Sequence, residues 1–250
     1  MEPDRGSTKG DNMRGLFLDF EATDKDVATA RITQVAFSVY DVNTHKELYH
    51  YSALVKPEGE YEMDPVAARI TGITKEQLEK YGVPLGQVCD VLSSALRSVH
   101  FLAAHNLHGY DLPLLNNEIG RSGLEKMVLP LLIDTRFDVP WPDHIDTRKL
   151  TYLGAEFGIV NPSAHSARHD VDLMALLFFK FPLDKILERA KSPQIWVRAN
   201  VSYDNREKAK SHKFLWDGAN KWWVKLFKLC DFETQTFDFP TVILKDYKGP

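Results

Sequence analysis

Asp19 and Glu21 stand two residues apart in the apolar run GLFLDFE. Alternate side chains of an extended strand point to the same face, so these two carboxylates face the same way. Side by side they repel, and burying them is costly unless a cation neutralises them. Oxygen-only ligands suit a hard ion such as Mg²⁺ or Mn²⁺. The pair by itself equally fits a solvated strand end that happens to carry two acids. Further along, Asp111 sits in HNLHGYD and Asp170 in HSARHD, where His165 precedes Asp170 by five residues. Histidine suits proton transfer near neutral pH because its ordinary pKa is about 6.5.

The elements around these residues follow from hydrophobic pattern. GLFLDFE reads as a buried strand, and TQVAFSVYDV and ELYHYSALVKP, rich in Val, Tyr and Phe, as two more. Short links between the three favour an antiparallel meander. MDPVAARITGIT reads as a short helix and a loop. In PLGQVCDVLSSALRSV, Val88, Val91, Leu92, Ala95, Leu96 and Val99 recur at helical spacing, with Pro84 near the start, where proline is tolerated. FLAAH is a buried strand candidate. Asn106 is then placed to cap a helix over LHGYDLPLLNNEIG that Gly120 or Gly123 ends. MVLPLLIDT reads as a further strand, and TRKLTYLGAEFG and RHDVDLMALLFFKF as helices. Meandering strands followed by alternating helices and strands predict an α/β fold: a mixed sheet flanked by helices, in a ribonuclease-H-like layout.

The character changes after Pro182. Residues 195–228 hold eight Lys/Arg against three Asp/Glu, and four of the chain's five tryptophans, Trp196, Trp216, Trp222 and Trp223, lie there. IWVRANVSY alternates as a strand, REKAKS forms a short helix, and FLWD-GAN-KWWVKLF reads as a hairpin with Gly218 in its turn. The expected organisation is therefore a disordered tail (1–14), an α/β domain (15–182) and a small aromatic, basic, β-rich module with its tail (195–250). The tryptophans offer either a stacking platform for single-stranded nucleic acid or the core of a tiny domain. Alternation lets both hold, with Trp222 and Val224 on one side and Trp223 and Lys225 on the other.

Composition limits the alternatives. With 44% hydrophobic and 26% charged residues, the 250-residue chain has the profile of a globular protein. No apolar run reaches the roughly 20 residues that span a bilayer. The opening residues MEPDRGSTKGDNMR lack the apolar core of a signal peptide, and Met13 is a second candidate start. Cys89 and Cys230 stand apart in sequence and outside any metal-ligand spacing, which fits reduced thiols in a cytoplasmic setting. A net charge of −4 argues against wrapping duplex DNA, but not against holding a short single strand in a groove.

With these residues and elements in place, the chain resembles the DEDD superfamily of 3′–5′ exonucleases. FLDFEAT is similar to its D-x-E first motif, HNLHGYD to its second, and HSARHD to the third motif of the histidine branch, DEDDh. AARITGIT-KEQL and the IDT at Ile133–Thr135 also follow family habit. The likeness covers roughly residues 15–180, and this stretch resembles proofreading exonucleases of the bacterial epsilon-subunit type. Each motif alone is weak, whereas three in order on the expected strand, helix and helix are specific. The resemblance implies a two-metal mechanism, with two divalent ions, Mg²⁺ or Mn²⁺, about 4 Å apart across the scissile phosphate. In that scheme Asp19 bridges both ions, Glu21 and Asp170 complete the shell of one, and Asp111 mainly holds the other. His165 takes the proton of the attacking water.

Substrate grip is expected around the first motif and ITGIT. Thr23 offers a hydroxyl, and the N–H groups near Ala22 and Thr23 reach toward a 3′-OH. The resemblance implies that a residue such as Ile70 or Ile73 wedges against the terminal base. Tyr110 is either a contact or a core aromatic, and Trp216 and Trp223 are candidate stacking residues in the module. Blander roles are expected for His105 and Asn106 (shaping a turn), Asp24 and Asp26 (loop acids), Asp134 (capping), and His169 and Asp172 (flanking the site). Single-stranded DNA is the expected substrate, with RNA trimming as the alternative. A non-catalytic binding module would be expected to lack some of the acids, all of which are present. A polymerase or other protein partner is a further expectation, because the hydrophobic stretch in FETQTFDFPTVILKDY would either dock on it or add a strand to its own module.

Overall fold

A computed structural model describes residues 12–161, 163 and 165–250. The expected tail therefore falls outside the described residues up to position 11. Its last residues join the fold: the Val42 N–H donates to the Met13 carbonyl (2.8 Å) and Asn12 Nδ2 to Asp41 Oδ2 (2.8 Å). The chain divides into two compact units, the first ending at Ile186 and the second beginning at Leu187. Among the described residues, no helix is long and apolar enough to cross a membrane.

The first unit opens with the expected meander, β1 (Arg14–Ala22), β2 (Ile32–Asp41) and β3 (Lys46–Lys56), paired antiparallel. Next come α1 (Pro65–Thr71), α2 (Lys75–Tyr81), β4 (Val83–Pro84) and α3 (Leu85–Leu96). β5 (Phe101–Ala104), α4 (Asp111–Arg121), β6 (Leu131–Asp134) and α5 (Thr135–Asp138) follow. The series ends with α6 (Leu150–Glu156), α7 (Ala167–Phe178) and α8 (Leu183–Lys191). The sheet runs β4-β3-β2-β1-β5-β6, with β5 parallel to both β1 and β6. This is the mixed α/β sheet flanked by helices that the pattern predicts. α2 went unread as a helix, although a capping box marks it: the Thr74 side chain accepts from the Gln77 N–H and Gln77 from the Thr74 N–H.

Strand alternation sorts β1 into two faces. Leu16, Leu18, Phe20 and Ala22 enter a core built with Leu85, Val88, Leu92 and Leu96 of α3 and Leu114, Leu115 and Ile119 of α4. Phe17 points the other way and meets Phe178 of α7 edge-on, with ring centroids 5.1 Å apart. Asp19 and Glu21 share the Phe17 parity, so they emerge on the side that α7 covers. The β1–β2 register slips between Glu21 and Ala22, a bulge at the point where β1 hands over to its loop.

α4 starts later than expected. Residues 105–110 form a turn, Asn106 adopts a left-handed φ of 72°, and the helix begins at Asp111 with Tyr110 as its N-cap. The cause is Asp134, whose two carboxylate oxygens accept from the Asn106 N–H (3.0 Å) and the His108 N–H (3.3 Å) and hold this stretch out of the helix. Of the two candidate glycines, Gly120 lies inside α4, while Gly123 follows its end with a left-handed φ of 63°.

The far half of α4 clamps the loop that follows β1. Glu118 is buried, and its Oε1 takes Arg31 Nε at 2.6 Å and an Arg121 guanidinium N–H at 2.7 Å. Arg121 also donates to the carbonyls of Ala28 and Ala30, and Asn117 to that of Val27. The helix that presents Asp111 is thus tied to the strand that presents Asp19 and Glu21.

In the second unit, β7 (Gln194–Ala199), a 3-10 turn (Tyr203–Asn205) and α9 (Arg206–Ser211) lead to the hairpin β8 (Leu215–Asp217) and β9 (Trp222–Lys228). α10 (Leu229–Thr234) and β10 (Thr241–Leu244) complete it. The antiparallel sheet has the order β10-β7-β9-β8. The hydrophobic stretch near the C-terminus therefore adds a strand to its own module. The hairpin turn is built by Asp217, which accepts from the Ala219 and Asn220 N–H groups. Gly218 lies in that turn, as expected, and Lys221 takes the left-handed conformation there (φ 56°). Val197, Ala199, Ala209, Phe214, Phe227 and Phe239 form the unit's core.

Arg31 is the better-buried of the two Glu118 partners, at 12% exposure against 30% for Arg121. Arg31→Ala is expected to cost about 3 kcal/mol, because a buried carboxylate loses half of its compensation. Urea unfolding measures this, and a loss below about 1 kcal/mol would show that Arg121 alone neutralises Glu118.

Candidate active site

Asp19 and Glu21 leave β1 on one face, and the first turn of α7 brings Asp170 against them. Each of the three offers a ligand oxygen, and these oxygens all lie within 4.8 Å of one another. Sequence spacing cannot fix α7 at this distance; tertiary hydrogen bonds do. Gln34, the cross-strand partner of Glu21, accepts the Ala167 N–H through Oε1 at 3.1 Å and so pins the first residue of α7. Arg168 anchors the same turn to the sheet, donating to Ser38 Oγ (2.6 Å) and Glu47 Oε1 (2.8 Å) and pairing with Asp172 (3.0 Å).

Asp170 is held at both oxygens. Asn161 Nδ2 donates to Oδ1 at 2.6 Å, and the His165 N–H donates to Oδ2 at 3.1 Å. His165 is exposed and takes a left-handed φ of 65°, an uncommon conformation for a residue with a Cβ. Neither Gln34, Asn161 nor Arg168 was legible as a site residue in the sequence, because each acts across more than one element. Asp111, the first residue of α4, is 2% exposed, and its Oδ1 meets no hydrogen-bond partner among the described residues. It lies outside the three-residue cluster, yet of the neighbouring charges its own acts most strongly on Asp19.

The electrostatics are those of crowded acids. Burial, and then the charges of Asp111, Glu21 and Asp170, hold the Asp19 carboxyl well above the usual carboxylate range. Burial and the Asp170 charge push Glu21 up to about 8. Burial pushes Asp111 up to about 8 despite hydrogen bonds from backbone N–H groups, and burial raises Asp170 as well. A divalent cation fits this set on two counts: the donors are all oxygens, and the buried Asp111 Oδ1 has a free lone pair. Asp19, Glu21, Asp170 and Asp111 are the residues that would hold it.

The other expected residues sort by burial. Ile73 is 6% exposed in a small cluster with Tyr61 and Leu78, so it cannot wedge against a base, whereas Ile70 on α1 is 43% exposed. The Thr23 N–H donates to the Arg31 carbonyl and its Oγ accepts the Arg31 N–H. That backbone N–H is therefore not free for a ligand, although the hydroxyl keeps its own proton. Ala22 is buried. Tyr110 packs against the core and donates its hydroxyl to the Asp24 carbonyl, as a core aromatic would. Asp134 caps α5 through the Arg136 N–H. His105 bridges Thr135 and the Arg148 carbonyl, and burial lowers its pKa to about 4. In the second unit Trp216 is half exposed, while Trp223 is partly buried against the core.

Residues 16–178 match the model of the RNase_T family, described as exonuclease. The chain therefore belongs to this exonuclease family, and its residue pattern is that of the DEDDh branch. Residues 195–244 match a domain of unknown function. No curated protein sequence matches the chain. Among solved structures, exonuclease I aligns at 19% identity and a TM-score of 0.61, over 75% of this chain and 48% of that one. E. coli exonuclease I in complex with a dA16 oligonucleotide aligns at 18% identity and a TM-score of 0.57, over the same shares. The nuclease domain of 3′hExo, a DEDDh family member bound to rAMP, aligns at 17% identity and a TM-score of 0.58, over 69% of this chain and 93% of that one. The fold is thus shared with these nucleases, and the chain spans about half the length of the exonuclease I chains it matches.

The raised pKa values set a pH dependence. A carboxyl whose folded pKa exceeds its unfolded value near 4 keeps its proton longer when folded. The contribution of these acids to metal-free stability is therefore fully present below about pH 4 and is lost as pH rises through about 8, where Glu21 and Asp111 ionise. Asp19→Asn is expected to flatten that decline in thermal melts taken from pH 5 to 8. Mn²⁺ at a hundred times its Kd should add about 2.7 kcal/mol to the unsubstituted protein and much less to the variant. Equal stabilisation of both would place the ion elsewhere.

Proposed function

We propose that this chain is a divalent-metal-dependent 3′–5′ exonuclease that removes nucleotides from the 3′ ends of single-stranded DNA. The observation that carries this reading is the convergence of Asp19, Glu21 and Asp170 within 4.8 Å, beside the buried Asp111, at the end of a central strand. Family membership and the DEDDh order of the residues support it, as does the fold shared with a nuclease bound to dA16.

Two divalent cations held by the four carboxylates would draw off the charge of the scissile phosphate and ease deprotonation of the attacking water. His165, on the exposed loop before α7, accepts that proton. The water oxygen bonds to phosphorus as the P–O3′ bond breaks. The shortened strand keeps a 3′-hydroxyl, protonated from solvent, and the released nucleoside carries the 5′-phosphate. Asn161 and Gln34 keep Asp170 in place while charge moves. Of the two isoleucines, Ile70 is the exposed one and so the candidate to meet the terminal base.

RNA is the second reading, favoured by the fold shared with a nuclease domain bound to rAMP. Carboxylates that hold metal ions at a phosphate do not read the sugar, so they do not choose between the two. Matched DNA and RNA oligomers, single-stranded and duplex, with free and blocked 3′ ends, test both. Release of 5′-mononucleotides from unblocked single-stranded DNA, dependent on Mg²⁺ or Mn²⁺, is expected. A strong preference for RNA would replace the DNA reading, and cleavage indifferent to 3′ blocking would sink the 3′–5′ assignment. His165→Ala should slow turnover by about 10²–10⁴ at saturating substrate, and near-normal turnover at neutral pH would remove histidine from the mechanism.

A further inference from the structure

The second unit carries an aromatic and cationic row that its own core does not use. Trp216 lies on β8, an edge strand of the sheet, and is 50% exposed. Its ring sits 5.2 Å from that of its cross-strand partner Trp223, whose far side is packed on the core. Lys210 of α9 places its ammonium 6.0 Å from the Trp223 ring. One helical turn earlier, Arg206 lies over Tyr203 at 4.2 Å, and Tyr203 is 78% exposed. The row therefore reads Trp216, Trp223, Lys210, Arg206, Tyr203, with aromatic rings at both ends. The remaining tryptophans are otherwise engaged: Trp196 and Trp222 contact Tyr247, and Arg198 lies over Trp222. One acid, Glu207, interrupts the row by pairing with Lys210 and Arg206.

Large rings left half or more exposed cost solvation and serve no core. Placed beside cations, they offer flat faces to bases and positive charge to phosphates. Every base has a π-face, so such a surface tolerates sequence while demanding an unpaired strand. Residues 195–228 carry eight Lys/Arg against three Asp/Glu, a local excess of positive charge inside a chain of net charge −4. A polyanion fits that charge. We infer that this unit is a single-stranded nucleic-acid-binding surface, with Trp216 and Tyr203 as the stacking residues and Arg206 and Lys210 as the phosphate contacts. This rests on the reading that the chain acts on single strands, and it assigns their recognition to a unit separate from the acids. Trp223 serves as the packed support beneath Trp216, so the pair first expected to stack together divides into one contact and one support.

Binding and cleavage can be read separately in the full chain. The test measures anisotropy of fluorescent dT20 and rU20 in EDTA, where no hydrolysis occurs, and turnover of a trinucleotide with Mn²⁺. Trp216→Ala and Tyr203→Ala should each weaken binding of the 20-mers about tenfold, and Trp216→Phe should restore most of the Trp216 loss. Arg206→Gln with Lys210→Gln should reduce the slope of log affinity against log salt by about 1 to 1.5. Trinucleotide turnover by the unsubstituted chain reads the exonuclease activity separately from this binding. Unaltered 20-mer affinity in both aromatic variants would overturn the assignment and leave the exposed rings to a protein partner. Absent hydrolysis with intact binding effects would instead overturn the exonuclease reading alone.

Discussion

Mutual repulsion among crowded carboxylates, Asp19 and Glu21 half-buried and Asp111 and Asp170 buried, is the constraint around which the first unit is built. Left to themselves, Asp19, Glu21, Asp111 and Asp170 would move apart or keep their protons, and burial holds all four above the ordinary carboxylate range. The fold resists separation with structure. Asp19 and Glu21 are held in register against β2, opposite Ala36 and Gln34, which leaves them little freedom to retreat. Gln34 and Arg168 hold the start of α7 down on the sheet, and the Glu118–Arg31–Arg121 cluster ties α4 to the loop after β1. Such a scaffold stores unfavourable electrostatic energy that a divalent cation releases on binding. Affinity for metal and conformational rigidity are in this sense one property.

The same geometry explains why the chemistry sits where it does. β1 runs on past its parallel neighbour β5, whose pairing with it ends at Phe17–Ala103, and the turn after β5 leads to Asp111 at the start of α4. Crevices beyond the carboxyl ends of such strands are general ligand sites in α/β sheets. His165 differs from the acids in being exposed and in a left-handed conformation, and its backbone N–H donates to Asp170. In the roles proposed above, a proton acceptor would gain from that exposure, whereas cation ligands would gain from burial.

The second unit solves a different problem with similar means. Its small core relies on phenylalanines at positions 214, 227, 237 and 239, whose rings meet largely edge-on. Asp217 gathers the hairpin turn and the Tyr247 hydroxyl onto one carboxylate, which closes the far side of the sheet. With the interior satisfied in this way, Trp216 and Tyr203 remain half or more exposed.

The sequence by itself determined the local features: the meander, the helical stripe of α3, the facing of Asp19 with Glu21, the hairpin, and the four acids with His165 in family order. These are written in periods of two and 3.6 residues and in short motifs, which need no distant partner. It misplaced the start of α4, because the competitor that unwinds residues 106–110 is Asp134, some 28 residues away. It offered Ile70 and Ile73 as equals, and only burial separated them. It missed Gln34, Asn161 and Arg168 entirely. Their contribution lies in hydrogen bonds between elements, and a single sequence carries no signal for a contact that exists only after the chain has folded. The tertiary structure thus decided the distance between the carboxylates on β1 and the one on α7, because that distance is set by packing a helix on a sheet and by no spacing along the chain.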